Sequence, residues 1–430
     1  MATVLYLIFI AVLTLSSICV IFYIPRIFGW LYGFKKQSIL INSKKNRFAL
    51  IVPARNESQV IGTLFDSLKK QTYDKTLFDT HVLVKTETDK TVELTKEFGG
   101  IIHVIKEKVC KGHDINMALQ KILKENPNKY DAYIVIDADC CLDKKFIEEM
   151  NNAMASGRQI IQAKKLVKNR LYTTDKKANN WVTRCNGLIW TMIDEIGNKF
   201  KSRHQIINMT IGTGIMLRSD VVKRLGGWPY DKTLTEDIEL MYDSVCKGFT
   251  TYYYNRAKIY VEESTSLTET NKRRTRWMTG VVDSKRLYNK KVKSLPLSWK
   301  NIKNIYYANA LTPAYWFCGV NTIACAFFLA IGLVSLIFNP MLSLSCIMYA
   351  IVCFLSIYVG FFALTVFCLL VDRKTNKFSV WENVQTLFVH PLFYMGYIPI
   401  VTKALLGKQP QVWKVIERMD LKGKQNDRDN

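Results

Sequence analysis

Two stretches without a charged residue, 3–24 and 304–371, constrain this 430-residue chain more than any other feature. A helix crossing the hydrocarbon core of a bilayer needs about 20 apolar residues, so the first stretch can cross once and the second twice. A wholly soluble, collagen-like or disordered chain is excluded. The averages of 49% hydrophobic and 22% charged residues conceal this segregation, because a polar region fills the interval between the two stretches.

Net charge is +24, from 60 Lys+Arg against 36 Asp+Glu. Segment 268–303 alone holds eleven Lys/Arg and two acids, directly before the long apolar stretch. Cytoplasmic flanks of membrane helices collect Lys and Arg, and anionic lipid attracts them. No base-reading motif accompanies the charge, so the lipid bilayer, and not nucleic acid, is the expected partner. Lys35, Lys36, Lys44 and Lys45 follow the first stretch. They predict a retained anchor over 1–25 with its N-terminus outside the plasma membrane, a basic segment over 26–46, and a cytoplasmic domain over 47–290. Beyond it come an interfacial amphipathic segment (291–308) and a transmembrane hairpin (309–371) divided at Asn339-Pro340. Segment 372–407 contains Glu382, His390, Pro391 and Pro399. If it spanned, the Lys-rich tail (408–430) would lie outside against the charge rule, so an interfacial or re-entrant course is expected. The eleven cysteines show no Cys-x-x-Cys or Cys/His spacing and read as reduced thiols without zinc.

Within the cytoplasmic region, Phe48–Val52, Thr80–Thr86, Ile101–Ile105 and Tyr133–Asp137 read as strands. Helical stretches over 59–71, 89–98, 112–123 and 144–155 follow them in turn. Such alternation argues for an α/β domain with a mostly parallel sheet. Ligands of these sheets sit beyond the carboxyl ends of the strands, so chemistry is expected after Val52, Val84 and Ile136.

Asp137-Ala138-Asp139 ends the last of those strands. Residues i and i+2 of an extended segment share a face, so both carboxylates can meet one hard cation, Mg²⁺ or Mn²⁺. A lone D-x-D is more often a solvated acidic turn; its position at a strand's carboxyl end favours a site. Thr235-Glu236-Asp237 opens a helix, where acids also simply complement the dipole; as a functional group Asp237 would be a general base. Arg273, Arg276 and Trp277 share one helical face, suited to a diphosphate and a sugar ring, and equally to a basic juxtamembrane helix. Gly212-Thr213-Gly214 and Gly226-Gly227-Trp228 mark tight turns.

In order and spacing these residues, with Val52-Pro53-Ala54-Arg55-Asn56-Glu57 and Lys111-Gly112-His113, resemble the membrane-embedded family 2 glycosyltransferases. That group contains bacterial cellulose, hyaluronan, chitin-oligosaccharide and poly-N-acetylglucosamine synthases, and the resemblance runs from about Ala49 to Gly280. It implies a GT-A fold that binds a UDP-sugar with Mg²⁺ or Mn²⁺. Asp139 would be the metal ligand, with Asp137 on the nucleotide-sugar, and Asp237, beside Glu236, the base that deprotonates the acceptor. Pro53, Ala54, Arg55, Glu57, Lys111, Gly212, Gly214, Trp228, Arg273, Arg276 and Trp277 would line the substrates. Trp413 and Arg418 match a C-terminal loop that covers the donor in related synthases. One position departs: Lys85 stands where the family has a nucleoside-binding Asp, and Glu87, two residues on, is expected to take over that contact. The expected function is elongation and export of a β-linked polysaccharide such as a β-glucan, by a possible homo-oligomer. The alternatives are a single-sugar glycolipid product, or an inactive sugar-nucleotide-binding scaffold.

Overall fold

The computed structural model describes residues 1–107, 109–172, 177–309 and 314–407. The described residues form two compact units, one from 1–34 with 309–403 and one from 35–308 with 404–407.

The second unit is built on an eight-stranded sheet. Its strands are β1 (Phe48–Pro53), β2 (Phe78–Val84), β3 (Ile101–Val104), β4 (Ala132–Val135), β5 (Cys141–Leu142), β6 (Ile160–Val167), β7 (Ile215–Arg218) and β8 (Thr251–Val261). Their order is β3-β2-β1-β4-β7-β6-β8-β5. The first four strands pair in parallel, as the alternation predicts. β1 is Phe-Ala-Leu-Ile-Val-Pro with both faces buried, the continuous apolar run of a strand covered by helices on either side. Beyond β4 the sheet is mixed: β7 runs antiparallel to β4 and to β6, while β8 is parallel to β6.

This topology positions the site. Because β7 reverses against both neighbours, β6 points the same way as β4, and Val135 and Gln162 both pair with Ile215. The carboxyl ends of β4 and β6 and the start of β7 therefore share one edge of the sheet. Two apolar layers cover the faces, one around Leu50, Ile134 and Phe146 and the other around Ile51, Tyr133 and Leu240.

The other unit is helical. Helices Ala2–Leu31, Ala314–Ser335 and Pro340–Val371 occupy the expected apolar stretches. Pro340 starts its helix at a position where no N–H is needed, and Asn339 caps it by accepting from the Leu342 amide at 3.1 Å. Phe9 stacks on Tyr349 with centroids 4.2 Å apart, and the buried Asn321 amide donates to Ser16 at 2.8 Å. The segment expected to be interfacial forms helices Val380–Met395 and Tyr397–Leu406. Together they make the fourth stretch, among the described residues, long and apolar enough to cross a membrane.

Candidate active site

Helix Lys111–Glu125 begins at a close approach that only glycine permits. A Cβ on Gly112 would stand 1.8 Å from the Tyr230 carbonyl oxygen, so the bare backbone lets this helix end dock on the 230 loop. That docking delivers Lys111. Its Nζ lies 2.7 Å from Asp137 Oδ1 and 3.0 Å from Glu236 Oε1, and it donates to the Gly212 carbonyl at 2.8 Å. One ammonium thus gathers the three sequence motifs. Its two carboxylates outweigh the cost of burial and raise its pKa.

Asp137 stands two residues past the end of β4, and its amide donates to Thr213 Oγ1 at 2.9 Å. Gly212 and Gly214, at φ +50° and +67°, fold the turn that leads into β7. Gln162 on β6 fastens that turn: its Nε2 donates to the Thr213 carbonyl at 3.0 Å, and its Oε1 accepts from the Ile211 amide at 3.0 Å. Asp137, Asp139 and the Cys140 thiol have ligand atoms within 4.8 Å of one another. Burial, then Asp139 beside it, pushes the Cys140 thiol well above its usual range, which keeps it protonated. The donor set that remains is two carboxylates, the hard oxygen ligands that suit Mg²⁺ or Mn²⁺.

Asp237 stands in the first turn of helix Glu236–Lys247. Its Oδ1 accepts from the Ile238 amide at 2.8 Å, and a Cβ on Gly212 would lie 3.4 Å from its Oδ2. Burial and the neighbouring Glu236 push its carboxyl up to about 7, against the opposing pull of Lys111 and Lys165. That value suits a group which must take a proton near neutral pH.

Helix Leu267–Lys293 packs on this element through Gly280, where a Cβ would stand 2.5 Å from the Thr235 side chain. The packing carries Arg276 to the site. Burial, then the neighbouring Arg273, lowers its pKa, while Glu236, Asp137 and Asp237 act on its charge in the other direction. Its Nε has no hydrogen-bond partner among the described residues. Arg273 pairs with Glu263 at 3.2 Å and lies over the Trp277 ring at 5.2 Å. Trp277 meets Trp190 edge-on at 5.6 Å, and Trp190 Nε1 donates to Glu263 at 2.7 Å.

The remaining predicted residues are more dispersed. Pro53 closes β1, Ala54 is buried with its amide donating to the Leu83 carbonyl at 2.8 Å, and Arg55 is exposed. Half-buried Glu57 is held through its amide, which donates to Thr91 Oγ1 at 3.2 Å. Trp228 is 1% exposed, packed against Tyr230, so its ring builds the wall of the 230 loop. β2 stops at Val84 and Glu87 sits in the exposed turn beyond it, so the shared strand face expected for Lys85 and Glu87 does not form. Lys85 instead donates to Asp114 Oδ1 at 2.5 Å and to the Glu107 carbonyl at 2.6 Å. Trp413 and Arg418 lie outside the described residues.

Several positioning residues carry no motif. Asp89 accepts from the Asn56 amide at 2.8 Å and the Thr91 amide at 2.9 Å, tying the loops after β1 and β2 together. Lys168 donates to the Asp139 carbonyl at 3.1 Å and to Thr63 Oγ1 at 2.8 Å. Gln162 and Glu263 are equally silent; only their place at the shared edge marks them.

A mixed sheet with acids, a basic hub and glycine turns at its carboxyl edge is the GT-A arrangement of nucleotide-sugar transferases. The profile of glycosyltransferase-like family 2 matches residues 46–280, more than half of the chain, and the chain belongs to that family. No curated protein sequence matches it significantly. Its fold is similar to that of the mannosyltransferase PcManGT from Pyrobaculum calidifontis, solved with GDP-Man and Mn²⁺. The TM-score is 0.54 at 16% identity, over 81% of this chain and 98% of that one. More distant is S. aureus TarS, at TM-score 0.42 and 14% identity, over 80% of this chain and 55% of that one. TarS residues 1–349 with UDP-GlcNAc give 0.40 at 14% identity, over 83% and 91%.

Proposed function

We propose that this glycosyltransferase takes a UDP-sugar, UDP-glucose or UDP-N-acetylglucosamine, and elongates and exports a β-linked polysaccharide such as a β-glucan with inversion at the anomeric carbon. The observation that carries this reading is the carboxyl edge itself. A carboxylate suited to proton abstraction, Asp237, stands beside a D-x-D pair and Arg276, whose Nε has no hydrogen-bond partner among the described residues, and four stretches of those residues are apolar enough to cross a membrane.

Asp139, with Asp137, would hold Mg²⁺ or Mn²⁺, which when bound supplies charge neutralisation for the departing diphosphate. The other tasks fall to side chains. Asp237 accepts the proton of the acceptor hydroxyl as its oxygen attacks the anomeric carbon. The bond from that carbon to the diphosphate breaks, and its electron pair leaves with the nucleoside diphosphate. Arg276 faces the negative charge that develops there, typically the largest catalytic contribution. Trp277, held by Trp190, offers an aromatic edge to the acceptor sugar. Lys111 fixes Asp137 and Glu236 in register and itself remains protonated.

In this reading the anchor at 1–25 runs from outside to inside, the 47–290 domain is cytoplasmic at the plasma membrane, and segment 372–407 lies at or in the membrane beside the exit path. Thr365 and His390, both buried and hydrogen-bonded to each other at 2.8 Å, satisfy polar groups between helices and not at a lipid-facing surface. Lys85 with its partner Asp114, where the family has an Asp, leaves the base preference to experiment.

The test is turnover by the full chain in nanodiscs with Mg²⁺ or Mn²⁺ and UDP-glucose, UDP-N-acetylglucosamine or GDP-mannose. Nucleotide release and product size after linkage-specific digestion are read. High-mass, digestible product from one UDP-sugar is expected. Release with only a chloroform-soluble product would replace the polymer by a glycolipid, and release from GDP-mannose alone would move the donor class.

A further inference from the structure

β6 carries two lysines and a third follows it, and they are treated differently. Lys164 pairs with Glu195 at 3.0 Å, an acid that Lys199 also meets at 2.9 Å. Lys168 is spent on the Asp139 carbonyl and Thr63. Lys165 is 8% exposed, yet among the described residues no carboxylate reaches ion-pair distance of its ammonium, which lies 4.2 Å above the Trp190 ring. Its backbone is fixed, the amide donating to Asp194 at 3.0 Å.

Strand register fixes where this ammonium belongs. Val135 and Gln162 flank Ile215 in one row across β4, β7 and β6. Asp137 is two residues past that row and Lys165 three, on strands that run in the same direction, so both lie at the shared carboxyl edge. Asp137 and then Asp237 are the foremost acids acting on its charge, from beyond contact distance. Burial outweighs them and lowers its pKa. A buried cation that lacks a contacting partner is costly, and the face of an indole returns only part of that cost. Fold stability alone gives no reason to keep it there.

We propose that Lys165 is a donor-binding residue, a phosphate-oxygen contact that receives the diphosphate of the nucleotide sugar from the β6 side, opposite Arg276, with Trp190 as the platform that holds its stem. A compact ammonium with three donors suits a phosphate oxygen whose direction is shared with a divalent ion. The proposal rests on the transferase reading above, and names a contact that none of the sequence motifs contains.

The experiment is UDP and GDP binding by calorimetry to the full chain in nanodiscs with Mn²⁺, for the wild type, Lys165→Met and Lys165→Arg, alongside thermal unfolding. Methionine keeps the stem and removes the charge. Lys165→Met should weaken nucleoside diphosphate binding at least tenfold, melt no lower than the wild type, and Lys165→Arg should stay within threefold. Unchanged affinity in Lys165→Met overturns the proposal. So does a Lys165→Met chain that melts lower or fails to fold, since the ammonium would then be structural. A wild type that binds neither UDP nor GDP overturns the transferase reading itself, a distinct result.

Discussion

The β1–β4 half of the sheet closes its charges on each other, whereas the β6–β8 half, with helix Leu267–Lys293 beside it, closes some and leaves Lys165 and Arg276 open. On the first side the charges are closed on each other: Lys111 holds Asp137, Glu236 and the Gly212 carbonyl, and Lys85 holds Asp114. On the second, Lys164 and Arg273 are closed on Glu195 and Glu263, but among the described residues Lys165 lies on Trp190 without a carboxylate in contact and Arg276 Nε has no hydrogen-bond partner. A closed set fixes geometry and contributes to stability, because each member loses its partner if another moves. An open set contributes little to folding, and the role proposed for it is binding. Substitutions on the closed side should therefore be read in unfolding experiments, and those on the open side in binding or turnover.

The sharpest test is at the junction of the halves. Asp237→Asn removes the proposed base while keeping shape and the Ile238 amide contact, so turnover should fall about 10²–10⁴-fold with the melting temperature nearly unchanged. In the wild type the base form is populated above its pKa of about 7, so turnover should drop as pH falls through 7 and level off above it. A flat profile between pH 6 and 8 would remove Asp237 from that role.

The next effect belongs wholly to the closed half. Tyr130 donates to Asp79 at 2.7 Å, so its oxygen accepts from His81 Nε2 at 3.0 Å, and His81 Nδ1 accepts from His103 Nε2 at 2.9 Å. Burial, with mutual repulsion at His81, drives the two pKa values down to about 3 and about 4. Unfolded histidines titrate near 6.5, so between 6.5 and 4 the unfolded chain binds more protons. Stability is full above pH 6.5 and declines as pH falls, by on the order of 2 kcal/mol per histidine at pH 5. Chemical unfolding at pH 7.5 and 5 measures it, and the double variant His81→Asn, His103→Asn should flatten that slope.

The same division explains what could be read in advance. β1 to β4 were legible because each is an apolar run followed by an amphipathic helix, and the motif at Asp137 falls where the last of those runs ends. β6 and β7 were not. Ile-Met-Leu-Arg of β7 is too short to show a period, and β6 changes from apolar to Lys-Lys at a bulge between Ala163 and Lys164. Antiparallel return through β7 is a tertiary fact, and it alone brings Lys165 to the edge of Asp137. The shared face expected of Lys85 and Glu87 does not form, because two residues share a strand face only while the strand lasts, and β2 ends at Val84.

Breaking the closed set at its centre should cost less than the histidines. Lys111→Met leaves Asp137 and Glu236 facing each other without their cation. Asp137 is 37% exposed at its side chain and water replaces part of the loss, so destabilisation of about 1–2 kcal/mol is expected. Turnover should fall with it, whereas Lys165→Met should lower binding without lowering stability. Equal stability losses in the two variants would erase the distinction between closed and open charges.

The smallest effect tests whether the closed half positions the base as well as the fold. Gly212 holds φ +50°, a left-handed conformation that costs a residue with a Cβ about 1–2 kcal/mol. Alanine's Cβ would stand 3.4 Å from Asp237 Oδ2 and 3.9 Å from Lys111 Nζ, ordinary contact distances, so the penalty is backbone strain and not collision. Gly212→Ala should therefore melt slightly lower and keep its affinity for UDP. Any relaxation of the turn moves the Gly212 carbonyl away from Lys111, and that movement reaches Asp137 and Glu236 through the same ammonium. A lower turnover number at unchanged donor affinity is the outcome expected. Loss of UDP affinity instead would show that the turn touches the donor directly and that the hub is not what connects it to the site.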